Sequence, residues 1–223
     1  MFRDRAKSPP RHGPEQQPVP GRGGRLTPAQ VYSRHSHGLE EFFQSLGSQP
    51  GLNVLDWAGV SQANVDFITG RGNRLYSEDF YRLLEMHFGP GDWYASQQDP
   101  ARVESFLDAV LGFPSACFDA ALLWDMLEYL APPLLEAVLA RLNDAVKPGG
   151  YLLAIFHADE KIERVPVYQY RIAGPDTLWL SLRAMRAPAK LFNNRDIEKL
   201  FRHARALKFF LTRDHLREVI VRR

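Results

Sequence analysis

The chain has 223 residues, of which 45% are hydrophobic and 24% charged, with a formal net charge of +2. This composition is typical of one soluble domain with a sizeable core. A single cysteine, Cys117, excludes an internal disulfide framework and a cysteine-based zinc site, and the absence of about 18 consecutive apolar residues argues against a membrane span. The charged residues 1–5 lack a secretory apolar run, so we expect a cytoplasmic protein.

The charges are distributed unevenly along the chain. Residues 1–26 carry six Lys or Arg against two Asp or Glu, and residues 183–223 carry twelve against four, which leaves about −10 for residues 27–182. The basic C-terminal segment is compatible with a nucleic-acid or acidic membrane partner. We favour a solvated helix and hairpin face, because no aromatic residues are interleaved for base stacking. The sequence does not indicate which oligomeric state the protein adopts.

The first residues predict a tail followed by a helix. Residues 1–25 are rich in Pro, Gly, Arg and Gln and almost free of apolar side chains, so we expect a disordered tail and one folded domain over residues 26–223. Residues 27–30, Thr-Pro-Ala-Gln, have the form of a capping box. Helical spacing of apolar residues then predicts a leading helix as far as Gly47.

Alternating strand and helix patterns follow. Residues 52–57 form a short apolar run between Gly51 and Gly59, which predicts a strand buried on both faces. The next predicted elements are a helix, a strand and a helix, over residues 64–69, 73–76 and 81–88. Residues 89–107 give no clear pattern, so the sequence leaves open whether they add a strand.

The middle of the chain predicts a parallel strand pair. Residues 118–124 are a strongly apolar strand, and Pro132 opens a helix that runs to Val146. The turn at residues 147–150 then leads to a second buried strand at residues 151–156. A helical crossover between consecutive strands makes them parallel.

The C-terminal third predicts two hairpins around a helix. Short aromatic runs and a turn predict an inserted hairpin within about residues 159–186, Asn194 is predicted to cap a helix, and residues 208–211 and 218–221 form a closing hairpin. The predicted fold is therefore α/β, with a Rossmann-like, mostly parallel sheet, helices on both faces and a C-terminal antiparallel hairpin.

Four acidic residues end or follow predicted strands: Asp56, Glu78, Asp108 and Asp125. Open parallel sheets bind ligands outside the carboxyl ends of their strands, where the strand order reverses. Each carboxylate alone could instead cap the next helix. Four at one sheet edge favour a shared ligand site.

Several motifs resemble the class I S-adenosylmethionine-dependent methyltransferases, over roughly residues 27–223. The first motif of that family is similar to Val54-Leu55-Asp56 and its turn, and the most specific matches are residues 118–130, FDAALLWDMLEYL, and residues 147–153, KPGGYLL. The helix opening at residues 193–198 also resembles small-molecule members. The resemblance implies S-adenosylmethionine as the cofactor.

The resemblance also assigns cofactor-binding positions. It places Asp56, Ala58, Gly59 and Ser61 at the cofactor turn, Glu78 and Asp79 at the ribose, Asp108 near the adenine ring, and Trp124 at the end of the fourth family strand. The turn departs from the family pattern, since Ala58, Val60 and Gln62 stand where glycines are usual. Val60 is expected to narrow the site, because glycine lets the backbone approach a ligand closely.

Methyl transfer from a sulfonium depends mainly on alignment, with a base needed for some acceptors. The base candidates are Asp125 and His157, at the ends of neighbouring predicted strands. No metal site is predicted, because nothing in the spacing of Asp125, His157 and Asp159 selects one. His35 and His37 fall on the predicted leading helix, where surface exposure is the favoured interpretation.

Two functions remain open on these residues. The first is methyl transfer to a small-molecule acceptor, since no Asn-Pro-Pro-aromatic run marks a nucleic-acid substrate. The second is a catalytically inactive binding or regulatory protein of the same fold, suggested by the altered glycine turn. A dinucleotide oxidoreductase would require a Gly-x-Gly-x-x-Gly fingerprint, which the chain lacks.

Overall fold

The computed structural model describes residues 31–223 apart from residues 90, 160 and 213, so the predicted tail and residues 27–30 lie outside the described part. The elements in chain order are β1 (Val31–His35), α1 (His37–Leu46), β2 (Asn53–Asp56), α2 (Gln62–Thr69), β3 (Arg74–Ser77), α3 (Phe80–Phe88), α4 (Trp93–Ser96), α5 (Pro100–Leu111), β4 (Phe118–Trp124), α6 (Pro132–Ala145), β5 (Val146–His157), β6 (Val165–Gly174), β7 (Thr177–Arg186), α7 (Asn194–Leu200), β8 (Ala206–Leu211) and β9 (Leu216–Arg222). A short 3₁₀ helix, Met126–Tyr129, follows β4.

The main sheet of the described residues has six strands in the order β3-β2-β4-β5-β9-β8. The first four in this order are parallel, and β9 runs antiparallel to β5 and β8. The chain moves outward from β2 to β3, then returns to β4 on the other side of β2, so the strand order reverses between β2 and β4. The crossover through α2 runs from β2 to β3, and the crossover through α6 runs the opposite way along the sheet, from β4 to β5. Because such crossovers are right-handed, α2 and α6 lie on opposite faces of the sheet. The predicted Rossmann-like α/β fold is confirmed.

The leading helix begins later than predicted. Val31–His35 is a strand, paired antiparallel with β7, and α1 starts at His37 with Ser36 as its N-cap. Pairing with a distant strand therefore overrides the local helical spacing. A β-carbon on Gly38 would lie 2.8 Å from Cβ of Glu218, so glycine lets α1 approach β9 closely.

Residues 89–107 contribute helices to the described structure. Asp92 caps α4 and Asp99 caps α5, each accepting from two backbone amides of the following turn. The main sheet therefore ends at β3 within the described residues. At the start of α7, the cap is Asn193, one residue before the predicted Asn194, in a capping box with Asp196.

A small second sheet has the order β1-β7-β6 and contains the predicted inserted hairpin. Tyr32 pairs with Leu180, which pairs with Tyr170, so these three side chains share one face of the small sheet. The register shifts where Val167 opposes Ala184 and Tyr168 opposes Leu182, which leaves Arg183 as an extra residue. No described helix is long and apolar enough to cross a membrane.

Candidate functional site

Asp56 lies at the carboxyl end of β2 and is fully buried. Its carboxylate accepts hydrogen bonds from Trp124 Nε1 at 2.7 Å, Asn64 Nδ2 at 2.7 Å and the Ala58 amide at 3.0 Å. Burial raises the pKa of Asp56, against the lowering effect of these three bonds. The side chain that the resemblance assigned to the cofactor is thus engaged by three protein donors and holds the turn in place.

Trp124 ends β4, next to β2 in the sheet, and its indole reaches across to Asp56. The indole stacks on the Tyr170 ring of β6, with ring centroids 4.8 Å apart and planes inclined by 9°. Both residues are fully buried. These two rings therefore fill the crevice at the strand-order reversal, where open parallel sheets bind ligands.

Three anchors hold the small sheet over this crevice. Asn64 of α2 accepts from the Ile172 amide at 2.7 Å and donates to the Tyr170 carbonyl at 3.4 Å. The bulged Arg183 makes a two-pronged ion pair with Asp79 at 2.7 and 2.9 Å. On β1, the buried Arg34 pairs with the buried Glu218 of β9 at 2.8 Å. In this arrangement the small sheet covers the crevice and its Tyr170 side chain stacks on Trp124. We call it the closed form.

The predicted cofactor turn keeps one glycine in a left-handed conformation, Gly59 with φ +83°. The positive φ favours glycine, and a β-carbon there would press on Asp79, at 3.1 Å from its Cβ. The Gly59 amide donates to the Glu78 carbonyl at 3.1 Å, and Ser61 caps α2 by accepting from the Asn64 amide. Val60 is 75% exposed. The Ala58 and Gly59 amides are thus engaged within the protein.

The other predicted cofactor residues are less closely grouped. Glu78 is half-buried just after β3, and burial raises its pKa. Asp79 caps α3 in addition to pairing with Arg183. Asp108 does not follow a strand as expected, because its segment is helix α5; its side chain is 66% exposed and lies 3.6 Å from Arg141. The structure thus separates Asp108 from the sheet edge.

Asp125 directly follows β4 and is fully buried. Its Oδ2 lies 3.5 Å from the Tyr129 hydroxyl, and its Oδ1 has no hydrogen-bond partner among the described residues. Burial, together with the nearby charge of Glu128, raises the pKa of Asp125 to about 7, although the charge of His157 lowers it. A carboxyl that titrates near neutral pH is suited to accept and release a proton.

His157 ends β5 and pairs with Glu128 of the 3₁₀ helix. Its Nδ1 lies 2.6 Å from Glu128 Oε2, and its amide donates to Oε1 at 3.0 Å. Burial would lower the pKa of His157, but the bond and charge of Glu128 raise it, while burial raises the pKa of Glu128. Because Nδ1 faces Glu128, the other ring nitrogen, Nε2, is left for a further partner.

Buried polar atoms without a partner among the described residues come from both sheets. We call the following set the polar cluster: Tyr32 Oη, Arg34 Nη1, Asp125 Oδ1, His157 Nε2 and Tyr170 Oη. The charges of Asp125 and Arg34 act on the Tyr170 hydroxyl, and the charge of Asp125 acts on His157. Unpartnered buried polar atoms are costly and rare, so their grouping makes this region the candidate site for a polar molecule.

The two predicted base candidates, Asp125 and His157, therefore lie in one buried region. The sequence analysis did not identify the other residues of that region. Glu128 lies within the recognised motif, three residues after Asp125, and its buried position could be inferred from the short 3₁₀ turn only after the fold was known. Tyr170 and Arg34 reach this region only because β1, β6 and β7 pair in the small sheet, which the sequence does not show. Nothing local in the sequence indicates the bulge that directs Arg183 to Asp79.

Comparisons with known proteins give structural similarities alone. No protein-family model matches the chain, and no curated protein matches it in sequence. One similar structure is the 1,6-didemethyltoxoflavin-N1-methyltransferase of Burkholderia thailandensis with bound S-adenosylhomocysteine, with a TM-score of 0.46 and 16% identity over 83% of this chain and 76% of that one.

Two further structures show the same level of similarity. A SAM-dependent methyltransferase from Aquifex aeolicus has a TM-score of 0.46 and 16% identity over 82% of this chain and 88% of that one. The glycopeptide N-methyltransferase MtfA with S-adenosylhomocysteine has a TM-score of 0.46 and 15% identity over 82% of this chain and 87% of that one. With TM-scores below 0.5, these similarities carry no argument about the ligand or activity of this chain.

Proposed function

We propose that this protein transfers a methyl group from S-adenosylmethionine to a small-molecule acceptor that binds at the polar cluster. The observation that carries the proposal is the pair of unpartnered buried atoms, Asp125 Oδ1 and His157 Nε2, at the carboxyl ends of β4 and β5. They lie on the side of the sheet where ligands bind in this architecture. The motifs around residues 118–130 and 147–153 support the choice of methyl donor.

The cofactor does not fit the closed form, because Trp124 and Tyr170 fill the crevice. The turn below them retains Gly59 in a left-handed conformation, and Glu78 lies half-buried at the next strand end. Cofactor binding therefore requires an open form, in which the small sheet moves away with Tyr170 and the Trp124 indole leaves Asp56. Gly59, Glu78 and Asp79 would then hold the cofactor, which supplies an activated methyl group.

The chain's own residues account for proton handling at the acceptor. Asp125, with a pKa of about 7, accepts a proton from an acceptor hydroxyl or ammonium group near neutral pH. His157 is oriented by Glu128 and directs Nε2 to the same buried region. Two ionisable groups with fixed orientation position the acceptor, which is the main requirement for methyl transfer.

A second candidate function is a non-catalytic protein that binds a ligand or partner through the same fold. The bond from Trp124 to Asp56 and the stacked Tyr170 favour it, because they occupy the crevice that a cofactor would enter. This candidate shares the polar cluster but requires no open crevice. Cofactor binding separates the two candidates.

Calorimetric titration with S-adenosylmethionine and S-adenosylhomocysteine, with NADH as a control ligand, tests the proposal. We expect binding of both sulfur compounds, weakened about tenfold in Glu78→Ala through loss of a charge-assisted hydrogen bond. Glu136→Ala, an exposed position on α6, is the matched control and is expected to bind like wild type. No binding of either sulfur compound at millimolar concentration would refute the proposal and favour the non-catalytic candidate.

A further inference from the structure

Three metal-ligand side chains meet at the junction of β1 and α1. His35 ends β1, His37 is the first residue of α1, and Glu40 lies in its first turn. His35 Nε2 lies 3.1 Å from His37 Nδ1, and His37 Nδ1 lies 4.0 Å from Glu40 Oε2. One ligand atom from each residue falls within 4.8 Å of the others. We call these residues the junction triad.

Two of the three separations can be compared with those around a tetrahedral metal ion. Zinc bonds of about 2.0–2.2 Å to nitrogen or oxygen place neighbouring ligand atoms about 3.4 Å apart. The observed separations of 3.1 and 4.0 Å lie on either side of that value. The half-exposed side chains need only small rotations, and Glu40 follows His37 by three residues, so both project from the same side of α1.

A carboxylate lies beside the outer nitrogen of His35. Asp176, in the turn between β6 and β7, places Oδ2 3.4 Å from Nδ1 of His35, the nitrogen that faces away from His37. The Ser36 amide donates to the Asp176 carbonyl at 2.7 Å, which fixes this turn against the junction. A carboxylate on the outer nitrogen is the usual partner of a metal-bound histidine, because it fixes the proton there and leaves the inner nitrogen free to bind metal.

We propose that His35, His37 and Glu40 bind one divalent transition-metal ion of the zinc type, with Asp176 as the orienting carboxylate. Two imidazoles and one carboxylate suit zinc, whereas magnesium and calcium prefer sets of oxygen ligands. Three protein ligands leave one position for water. The site is separate from the proposed methyl-transfer site and does not depend on it.

The bound ion has a structural consequence for the closed form. His35 belongs to the small sheet, whereas Glu40 belongs to α1, which packs against β5 and β9 of the main sheet. Metal binding therefore joins the two sheets at a point away from Arg183 and Asn64. Since the ion binds the folded protein, it raises the melting temperature and favours closure.

Zinc titration into the chelator-treated full chain, by calorimetry and thermal melting, tests this site. We expect one equivalent to bind and to raise the melting temperature. Binding is expected to weaken at least about tenfold in His35→Ala, His37→Ala and Asp176→Asn, the last through loss of the orienting carboxylate. His203→Ala, at an exposed histidine in the turn after α7, is expected to bind zinc as wild type does.

The outcomes separate a built site from scattered surface binding. Equal weakening in His203→Ala and His37→Ala would overturn the proposal, as would unchanged affinity in the His35→Ala/His37→Ala double variant. Magnesium that competes with zinc at equal concentration would contradict the metal class. Circular dichroism of each variant checks that a loss of binding does not reflect a loss of fold.

Discussion

Trp124→Ala is expected to lower the free energy of unfolding by about 3–5 kcal/mol, the range for removing a large buried aromatic side chain. The indole is fully buried, stacks on Tyr170 and provides one of the three hydrogen bonds to Asp56. Its removal leaves a cavity and withdraws a donor from a buried carboxylate. Urea denaturation of wild type and variant measures the loss.

A glycine at the same position supplies the control. Trp124 has φ +54°, a left-handed conformation that is costly for residues with a β-carbon. Trp124→Gly removes the same side chain and relieves this strain, so we expect it to be about 1 kcal/mol more stable than Trp124→Ala. If the alanine variant is as stable as the glycine variant, the strained backbone assigned to this position is wrong.

Protein stability is expected to fall as pH rises from about 4 to 7, largely through Asp125. Its pKa is raised to about 7 by burial, whereas the ordinary value is 3.8. Over that interval the folded protein retains a proton that the unfolded chain has released, so raising the pH favours unfolding. The slope is up to about 1.4 kcal/mol per pH unit. The raised pKa values of Asp56 and Glu128 act in the same direction over this interval, and the raised pKa of His157 does so above about pH 6.5.

Asp125→Asn tests this assignment, because asparagine has the same shape and does not titrate. Between pH 5 and pH 7, Asp125 alone is expected to contribute a loss of about 2 kcal/mol in wild type, measured by urea denaturation. The variant should lack this part and keep the smaller losses that come from other buried carboxyls, such as Asp56 and Glu128. Asp108→Asn, at an exposed position of α5, is the control and should retain the wild-type slope. A full pH dependence in Asp125→Asn would place the titrating group elsewhere.

The sequence predicted the main sheet well, because its strands are buried on both faces and read as apolar runs. β2, β4 and β5 follow from such runs, and Pro132 marks the start of α6. Residues 147–150, predicted as a turn, are instead part of β5, which begins at Val146 directly after α6. The C-terminal hairpin follows from the same kind of pattern. These elements place Asp125 and His157 at one sheet edge, as expected.

The closed form depends on contacts that no local pattern encodes. β1 looked like a helix because its apolar residues continue the spacing of α1, whereas its structure comes from pairing with β7, about 145 residues later in the chain. Segment 89–107 has capping aspartates but weak apolar spacing. Tyr170 and Arg183 reach the crevice through hairpin register and a bulge, which are set by tertiary packing.

The altered glycine turn has a physical explanation in this arrangement. Ala58 and Val60 are tolerated because the turn contacts protein groups in the closed form: Ala58 bonds to Asp56 and bridges to Asp79, and Val60 faces solvent. A cofactor would need this surface to be uncovered. We therefore propose that the small sheet closes the crevice and that its opening admits the cofactor.

The affinity of Arg183→Met for S-adenosylhomocysteine, measured by calorimetry beside wild type, tests this claim most directly. The substitution removes the ion pair to Asp79, favours the open form and frees a predicted ribose carboxylate. We predict roughly fivefold to tenfold tighter binding, because a larger fraction of the protein is competent to bind. Arg171→Met, on the neighbouring strand β6, is the control and should bind like wild type. Unchanged or weaker binding by Arg183→Met would contradict the account.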